Sequence, residues 1–238
     1  CIVTLSWVFF TLFGMLPFYL SGSIDSLTNA FFETMSGFTT TGATILDDIE
    51  SLSHGMLFWR SLTQWIGGLG IVFFTIAVLP AFTSGGVQLF SAESTGVTHD
   101  RTHPKINVMA KWLWTVYLIL TLAETILLML GGMSLFDAVC QSFATTATGG
   151  YSTKQASISY WNSPFIEYVV AIFMLLSGVN FALFLMCLRG KVSRLLRDEE
   201  LRWFLGSVAI LTFLITFALV FQNHYDWELA FRKALFQV

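Results

Sequence analysis

Residues 29–44 read NAFFETMSGFTTTGAT, and residues 137–152 read DAVCQSFATTATGGYS. The two stretches align without a gap, so that Gly42 falls on Gly150, 108 positions further along the chain. Each is a short amphipathic run that ends in threonine and glycine, and each lies between two long apolar segments. A unit of span, short helix, threonine–glycine loop and span therefore occurs twice, and repeats of this kind are typical of membrane transport folds.

The composition is that of a membrane protein. Of the 238 residues, 55% are hydrophobic and only 11% are charged, whereas about a quarter of the residues are charged in typical soluble domains. A surface that faces lipid needs no polar cover, so this balance predicts a chain embedded in a bilayer. The three cysteines, Cys1, Cys140 and Cys187, are far apart in apolar surroundings and indicate neither a disulfide framework nor a zinc site.

Five apolar runs are long enough to cross a membrane, since about 20 helical residues span the hydrocarbon. Three shorter amphipathic pieces are predicted to be half-helices that enter the membrane without crossing it. Irregular backbone at membrane depth needs protein or water around it, so the loops that follow these half-helices should line a cavity. The predicted spans are 1–20, 56–82, 112–130, 165–188 and 203–221, the half-helices are 25–36, 134–144 and 226–238, and the loops are 38–44 and 145–153.

These elements predict an all-α membrane protein built from tandem repeats. A third copy begins near the end of the chain, where ALFQ at 234–237 matches AFFE at 30–33. The chain is therefore expected to hold about two and a half repeats. The predicted repeats are 1–82, 112–188 and the partial copy 203–238, and the connections between them are 83–111 and 189–202.

Basic residues predict the orientation of the repeats. Eight of the 12 Lys and Arg side chains lie at the two connections, which the positive-inside rule places in the cytoplasm. The half-helices and loops would then open outward, where acidic side chains would attract cations, although a solvated loop charge is an equally good interpretation of any one of them. The basic residues are Arg101, Lys105, Lys111, Arg189, Lys191, Arg194, Arg197 and Arg202, and the acidic ones are Asp25, Asp47, Asp48, Glu50, Asp137, Asp226 and Glu228.

The half-helices are predicted to begin at Asp25, Ser134 and Asp226, because short oxygen-bearing side chains satisfy the free N–H groups of a first turn. Their partially negative C-terminal ends would then point at the loops and favour a cation there. A single threonine–glycine cluster is more often an ordinary turn. Two clusters in register, each within the same frame of spans, favour a pore.

The two loops have the chemistry that a dehydrated monovalent cation needs. Backbone carbonyl oxygens can replace the water shell of such an ion. Glycine accepts positive φ without a steric penalty, which turns successive carbonyls toward one side, and threonine adds a hydroxyl. The candidate ligands are Thr39, Thr40, Thr41 and Gly42 in the first loop and Ala147, Thr148, Gly149 and Gly150 in the second.

Four strings in the chain together resemble the Trk/Ktr/HKT superfamily of potassium transporters. They are FFETMSGFTTTGATI at 31–45, FWRSLTQWIGGLGIV at 58–72, SFATTATGGYST at 142–153 and the ALFQ run. The resemblance extends over essentially the whole chain. The resemblance implies potassium-channel-like repeats of span, pore helix, filter loop and span, four to a polypeptide. This chain would hold the first two and the start of the third, with the eight candidate ligands as filter residues.

The resemblance also implies a function and partners. The function would be gated, channel-like uptake of potassium across the bacterial cytoplasmic (inner) membrane, with no organic cofactor. The partners would be the remaining two repeats of the same protein, a second copy in a homodimer, a cytosolic nucleotide-binding regulatory subunit and the lipid bilayer, but not nucleic acid. Because the second loop departs from the first at Ala147 and Gly149, a less selective potassium/sodium transporter or a cation-coupled symporter stays open. An enzyme is not expected, since the chain shows no paired catalytic residues at helix depth.

Four residues outside the loops carry further expectations. Arg60 could pair with Glu33 or with a carboxylate of the acidic loop, or it could lie at the lipid interface. Glu124, inside an apolar run, is either a functional carboxylate or one that reaches the interface by snorkelling. Gly67 and Gly68 are interpreted as small surfaces for close helix packing.

Overall fold

The computed structural model describes residues 2–70, 106–180, 183 and 198–238. All regular elements in these ranges are helical, which confirms the predicted all-α fold. The chain divides into two compact units, Cys1–Tyr160 and Trp161–Val238. Each unit is described by itself below.

The first unit follows the predicted order of span, half-helix, loop and span. Helices α1 and α2 are separated only by Met15, so they account for the first apolar run. The two half-helices, α3 and α6, have 12 residues each, and α4 packs against both of them. The bounds are α1 Ile2–Gly14, α2 Leu16–Leu20, α3 Leu27–Phe38, α4 His54–Gly68, α5 Ile106–Leu130 and α6 Leu135–Thr146, followed by a 3₁₀ turn at Ser157–Trp161.

Serine side chains cap both half-helices. Ser134 Oγ accepts a hydrogen bond from the Asp137 N–H at 3.1 Å, and Ser26 Oγ accepts one from the Asn29 N–H at 3.4 Å. Ser134 is therefore the N-cap, as expected, but α3 begins after Ser26 and not at Asp25. The Ser26 backbone is extended, with φ −93° and ψ 124°, which is the conformation that an N-cap requires.

Several boundaries differ from the sequence-based ones. The half-helices end at Phe38 and Thr146, two residues later than predicted, so the loops begin at Thr39 and Ala147. Residues 106–111, assigned to the first connection, are already part of α5. The predicted span 56–82 is helical through Gly68, and its residues from 71 onward, like 83–105 of the connection, lie outside the described residues.

The second unit contains the helices α7 Pro164–Gly178, α8 Glu199–Asn223 and α9 Trp227–Gln237. Helix α9 packs on both α7 and α8. Arg232 of α9 bonds to Glu167 of α7 at 2.8 Å and to Glu228 one turn earlier at 3.1 Å. The Arg232–Glu167 pair attaches α9, the start of the predicted third copy, to α7, whereas the Arg232–Glu228 pair lies within α9.

The second unit also corrects two predicted boundaries. Val179 is extended and ends α7 inside the predicted span 165–188. Residues 199–202, assigned to a connection, form the first turn of α8. The described residues do not include 181–182 or 184–197, where most of the predicted second connection and four of its basic residues fall, nor Arg101 and Lys105 of the first.

Two described helical segments are long and apolar enough to cross a membrane, Trp112–Leu130 and Glu199–Gln222. Thr4–Leu20 and Pro164–Gly178 are shorter apolar helices. Large apolar side chains lie exposed along these segments, for example Trp203 at 80% and Phe213 at 67%. Such surfaces are unfavourable in water and suit a lipid environment.

Replacement of the α6 cap tests the contribution of local capping. We expect Ser134→Ala to lower the free energy of unfolding of the full-length protein by about 1 kcal/mol, because the Asp137 N–H loses its acceptor. Asp226 occupies the N-cap of α9 without a side-chain capping bond, so Asp226→Ala is the matched control and should cost less. Denaturant titration in detergent measures both variants, and an equal loss would contradict the capping role of Ser134.

Candidate ion-binding site

The two threonine–glycine loops have the same backbone conformation. φ is +53° at Thr40 and +54° at Thr148, and it is +76° at Gly42 and +80° at Gly150. The residue before each positive-φ threonine has a negative φ, −80° in the first loop and −79° in the second. Changes in the sign of φ turn peptide planes that would otherwise face alternate sides, which is how such loops bring carbonyls toward one side.

The same pair of backbone hydrogen bonds ends both half-helices. In the first loop the Thr40 N–H donates to the Gly37 carbonyl at 3.0 Å and the Thr41 N–H to the Ser36 carbonyl at 2.9 Å. This is the Schellman motif, in which the residue in the left-handed conformation is usually glycine. The second loop repeats it, with bonds from Thr148 to Thr145 at 2.9 Å and from Gly149 to Ala144 at 2.8 Å.

Threonine is an unusual residue at the left-handed position of this motif. A β-branched side chain at positive φ is a conformational outlier that costs about 1–2 kcal/mol. Thr40 and Thr148 both have this conformation at equivalent positions. Strain that recurs in this way is a reason to look for function at the site, since surrounding structure must hold it in place.

The loops differ in how far their residues are exposed, although their backbones match. Ala147 and Gly149 are buried, while Thr148 and Gly150 between and after them are exposed. In the first loop Thr39 and Thr41 are exposed and share a hydrogen bond between their hydroxyls at 2.8 Å, and Thr40 and Gly42 are half-buried.

The structure brings the two loops into direct backbone contact. A Cβ atom added at Gly42 would fall on the carbonyl oxygen of Gly149. Glycine is therefore required at position 42 by both its positive φ and this close approach. The two loops that hold the predicted ligand residues thus lie against each other at Gly42 and Gly149.

A buried ion pair lies behind the loops. Arg60 of α4 and Glu33 of α3 are 2% and 1% exposed, and Arg60 Nε donates to Glu33 Oε1 at 2.7 Å. Glu33 also accepts from the Thr44 hydroxyl and from the Ile45 N–H, each at 3.0 Å. Its carboxylate therefore holds the chain that leaves the first loop. The pairing expected with Glu33 is confirmed, and the lipid-interface interpretation of Arg60 is wrong.

Tyr151 connects the ion pair to the second loop. The Arg60 guanidinium lies over the Tyr151 ring, 3.5 Å from its centroid, and Arg60 Nη1 donates to the Ser152 carbonyl at 3.1 Å. The Tyr151 hydroxyl lies within donating distance of two carbonyls of the first repeat, Glu33 at 3.0 Å and Ala43 at 3.2 Å. Burial, together with the Glu33 carboxylate, raises the pKa of Tyr151, so its hydroxyl stays protonated and remains a donor.

Gln64 forms a second bridge, one turn after Arg60 on the same face of α4. Its side chain is fully buried. Gln64 Nε2 donates to the Gly149 carbonyl at 2.7 Å, and its Oε1 accepts from the Tyr151 N–H at 3.1 Å. The Gly149 carbonyl, one of the predicted ligands, is therefore already engaged by a protein donor.

The glycines at the end of α4 pack against the starts of both loops. A Cβ at Gly67 would fall on the Phe38 carbonyl, and one at Gly68 would lie 2.7 Å from the Ala147 Cα. The close packing expected of these two residues is present, against the backbone at the C-terminal ends of α3 and α6. Further out, the Ile49 N–H donates to Gln155 at 3.1 Å.

Tyr151 and Gln64 are parts of the site that the sequence did not predict. Tyr151 lies directly after Gly150 in the string 142–153, and Gln64 lies four residues after Arg60 in the string 58–72. The i, i+4 spacing of two polar side chains in an apolar run was the available signal. Glu124 is fully buried, so its expected snorkelling to the interface is wrong.

The family model of TrkH, described as a cation transport protein, matches residues 1–238. The chain belongs to the TrkH family. This confirms the resemblance to the Trk/Ktr/HKT superfamily of potassium transporters. The repeated loops described above are therefore features of a TrkH-family chain, and this membership also accords with the membrane nature that the composition predicted.

Named relatives and a solved structure agree with membership of the TrkH family. The chain is 44% identical over 241 residues to the Trk system potassium uptake protein TrkH of Salmonella typhimurium, covering 100% of this chain and 50% of that protein. It is 35% identical over 238 residues to TrkG of Escherichia coli K12, covering 99% of this chain and 49% of that protein.

The crystal structure of the potassium transporter TrkH from Vibrio parahaemolyticus matches with a TM-score of 0.82 at 36% identity, over 99% of this chain and 48% of that one. The chain spans about half the length of the relatives it matches. These relatives are named as transport proteins, and none of the three names describes an enzyme.

A double-mutant cycle tests the buried ion pair. We expect Arg60→Met to destabilise the full-length protein by about 3–5 kcal/mol, because it leaves the Glu33 charge buried without its partner. Adding Glu33→Gln should restore part of this loss, so the double variant costs less than the sum of the single ones. Equilibrium unfolding in detergent measures each variant.

The partly exposed pair Lys154–Glu50, at 3.3 Å, is the matched control. Lys154→Met should cost about 1 kcal/mol or less, because solvent screens this pair. Additive effects at Arg60 and Glu33 would contradict direct coupling between them.

Proposed function

We propose that the loops 39–42 and 147–150 are two parts of a potassium filter in a channel-like uptake protein of the bacterial cytoplasmic membrane. The observation that carries the proposal is the pairing of the loops. Two loops of equal backbone conformation, each with threonine and glycine at positive φ, meet in backbone contact at the ends of two half-helices. Such an arrangement supplies carbonyl oxygens and partially negative helix ends for a cation.

The names of the relatives support potassium as the ion. Three proteins similar to this chain are named as a potassium uptake protein or a potassium transporter. The chain matches about half of their length, so the rest of the filter would come from further repeats of the same polypeptide. A homodimer, gated by a cytosolic nucleotide-binding subunit, completes the proposed assembly.

A less selective potassium/sodium transporter or a cation-coupled symporter is the second candidate. One observation favours it, because the two loops do not offer equal ligands. The Gly149 carbonyl is bonded to Gln64, and the predicted ligand residue at position 147 is alanine and is buried. A filter with fewer equivalent carbonyls discriminates less sharply between ions of different size.

Gly150 offers a controlled test of the filter. Gly150 and Gly132 both have positive φ, +80° and +98°, and a Cβ at either would meet nothing within 4 Å. Alanine at either position should therefore destabilise the folded protein by a similar amount, about 1–2 kcal/mol, through backbone strain. Only Gly150→Ala should also lower the ratio of potassium to sodium uptake, because Gly150 lies in the proposed filter.

This ratio is measured for the full-length protein in bacterial cells that lack other potassium-uptake systems. Rubidium serves as the tracer for potassium, and its uptake is compared with that of sodium. Gly132→Ala is the control, because it introduces similar backbone strain at a position outside the filter. An unchanged ratio in Gly150→Ala, with normal amounts of protein in the membrane, would refute the filter assignment.

Gly42→Ala should have a larger effect than Gly150→Ala. The alanine Cβ would collide with the backbone carbonyl of Gly149. Because the clash is with backbone and not with a flexible side chain, a side-chain rotation cannot remove it. The two loops would have to separate, so we expect loss of most rubidium uptake and a lower thermal midpoint in detergent. Uptake equal to that of Gly150→Ala would show that the contact between the loops is dispensable.

A further inference from the structure

Gln64 is a buried amide whose two ends are both engaged by the second loop. Its Nε2 donates to the Gly149 carbonyl at 2.7 Å and its Oε1 accepts from the Tyr151 N–H at 3.1 Å. The residue between these two attachment points is Gly150, which is exposed and has φ +80°. Gln64 therefore fixes the peptides on both sides of the most exposed glycine of the loop.

Groups of α4 and of the first loop restrict the orientation of the Gly149 peptide. A Cβ added at Gly149 would fall on the carboxamide of Gln64, so the amide lies directly against the Gly149 backbone. On the other side, the Gly149 carbonyl approaches Gly42 of the first loop. The carbonyl lies between α4 and the first loop, and rotation toward any other partner would break the bond to Gln64.

This bridge has no counterpart at the equivalent position of the second repeat. Position 172, which is 108 residues after Gln64, is isoleucine, and position 168, equivalent to Arg60, is tyrosine. An isoleucine side chain can make neither of the bonds that Gln64 makes. The contact that Gln64 of α4 makes with the second loop is therefore not available to the equivalent side chain of α7.

We propose that Gln64 is a positioning residue that sets the discrimination between potassium and sodium. By holding the Gly149 carbonyl, it removes this oxygen from the ligands that face the ion and fixes the orientation of the Gly150 peptide. The inference rests on the proposed filter and adds to it the residue that controls how many carbonyls the second loop contributes. Selectivity has been explained by the size of the ion cavity and by the number of carbonyls that coordinate the ion. The position of the Gly149 carbonyl affects both, so Gln64 has this role under either explanation.

A purely structural role predicts a different result from a positioning role. A residue that only stabilises the fold lowers the amount of folded protein and therefore the uptake of every ion by the same factor. A residue that orients a carbonyl changes the ratio between ions. The ratio of potassium to sodium uptake, measured beside the thermal midpoint, separates the two roles.

The test uses Gln64→Met and Gln64→Glu in the full-length protein. Methionine keeps the approximate volume but removes both hydrogen bonds. Glutamate keeps the shape and an acceptor for the Tyr151 N–H, but when ionised it has no donor for the Gly149 carbonyl. We expect both to change the potassium-to-sodium ratio by about fivefold or more, because the released Gly149 carbonyl alters the number and the orientation of the oxygens that face the ion.

Gln155→Met is the matched control. Gln155 is an exposed glutamine that also connects the two loop regions, through the Ile49 N–H at 3.1 Å, but it lies beyond the candidate ligands. Its replacement should leave the ratio unchanged. A change in the ratio for Gln64→Met and Gln64→Glu, with Gln155→Met normal, supports the positioning role.

The remaining outcomes overturn one proposal or the other. An unchanged ratio in both Gln64 variants, with Gly150→Ala still impaired, refutes the positioning role and leaves the filter in place. An unchanged ratio in the Gln64 variants and in Gly150→Ala refutes the filter itself. If Gln64→Met fails to fold, Gln64→Glu alone decides between these results.

Discussion

The loops of this chain depend on one buried ion pair. Taking Arg60 and Glu33 out of water is unfavourable unless every charge and lone pair finds a partner. The structure meets this condition with groups from both repeats, since Glu33 accepts from the Ile45 N–H and Arg60 donates to the Ser152 carbonyl. The ion pair is therefore stable only when both loops are in place, and the loops are in turn held by the pair.

The two repeats have the same loop backbone, but the side chains behind the loops differ between them. The Schellman ends and positive-φ positions recur 108 residues apart. The groups behind the loops do not recur, because Glu33 corresponds to Gln141 and Tyr151 corresponds to Ala43. Side chains at the boundary between the repeats thus hold together two loops that are alike in backbone but chemically distinct.

The sequence was informative where the determinants are local. Apolar runs, cap residues and threonine–glycine clusters predicted the helices and the loop positions, since each is set by neighbours within a few residues. The half-helices nevertheless extend to Phe38 and Thr146, because threonine and not the usual glycine occupies the left-handed position that ends each of them. Gln64 and Tyr151 escaped prediction because their contacts join residues that are more than 80 positions apart, and no local pattern encodes such a pairing.

The contacts of helix α4 couple the movements of the two loops. Arg60 and Gln64 attach one face of it to the second loop, and Gly67 and Gly68 place its end against the backbone of both half-helix termini. These hydrogen bonds and close contacts are short, so a rigid shift of α4 displaces both loops together. The two loops consequently respond to force as a single body, and a state in which one is rearranged while the other keeps its shape is disfavoured.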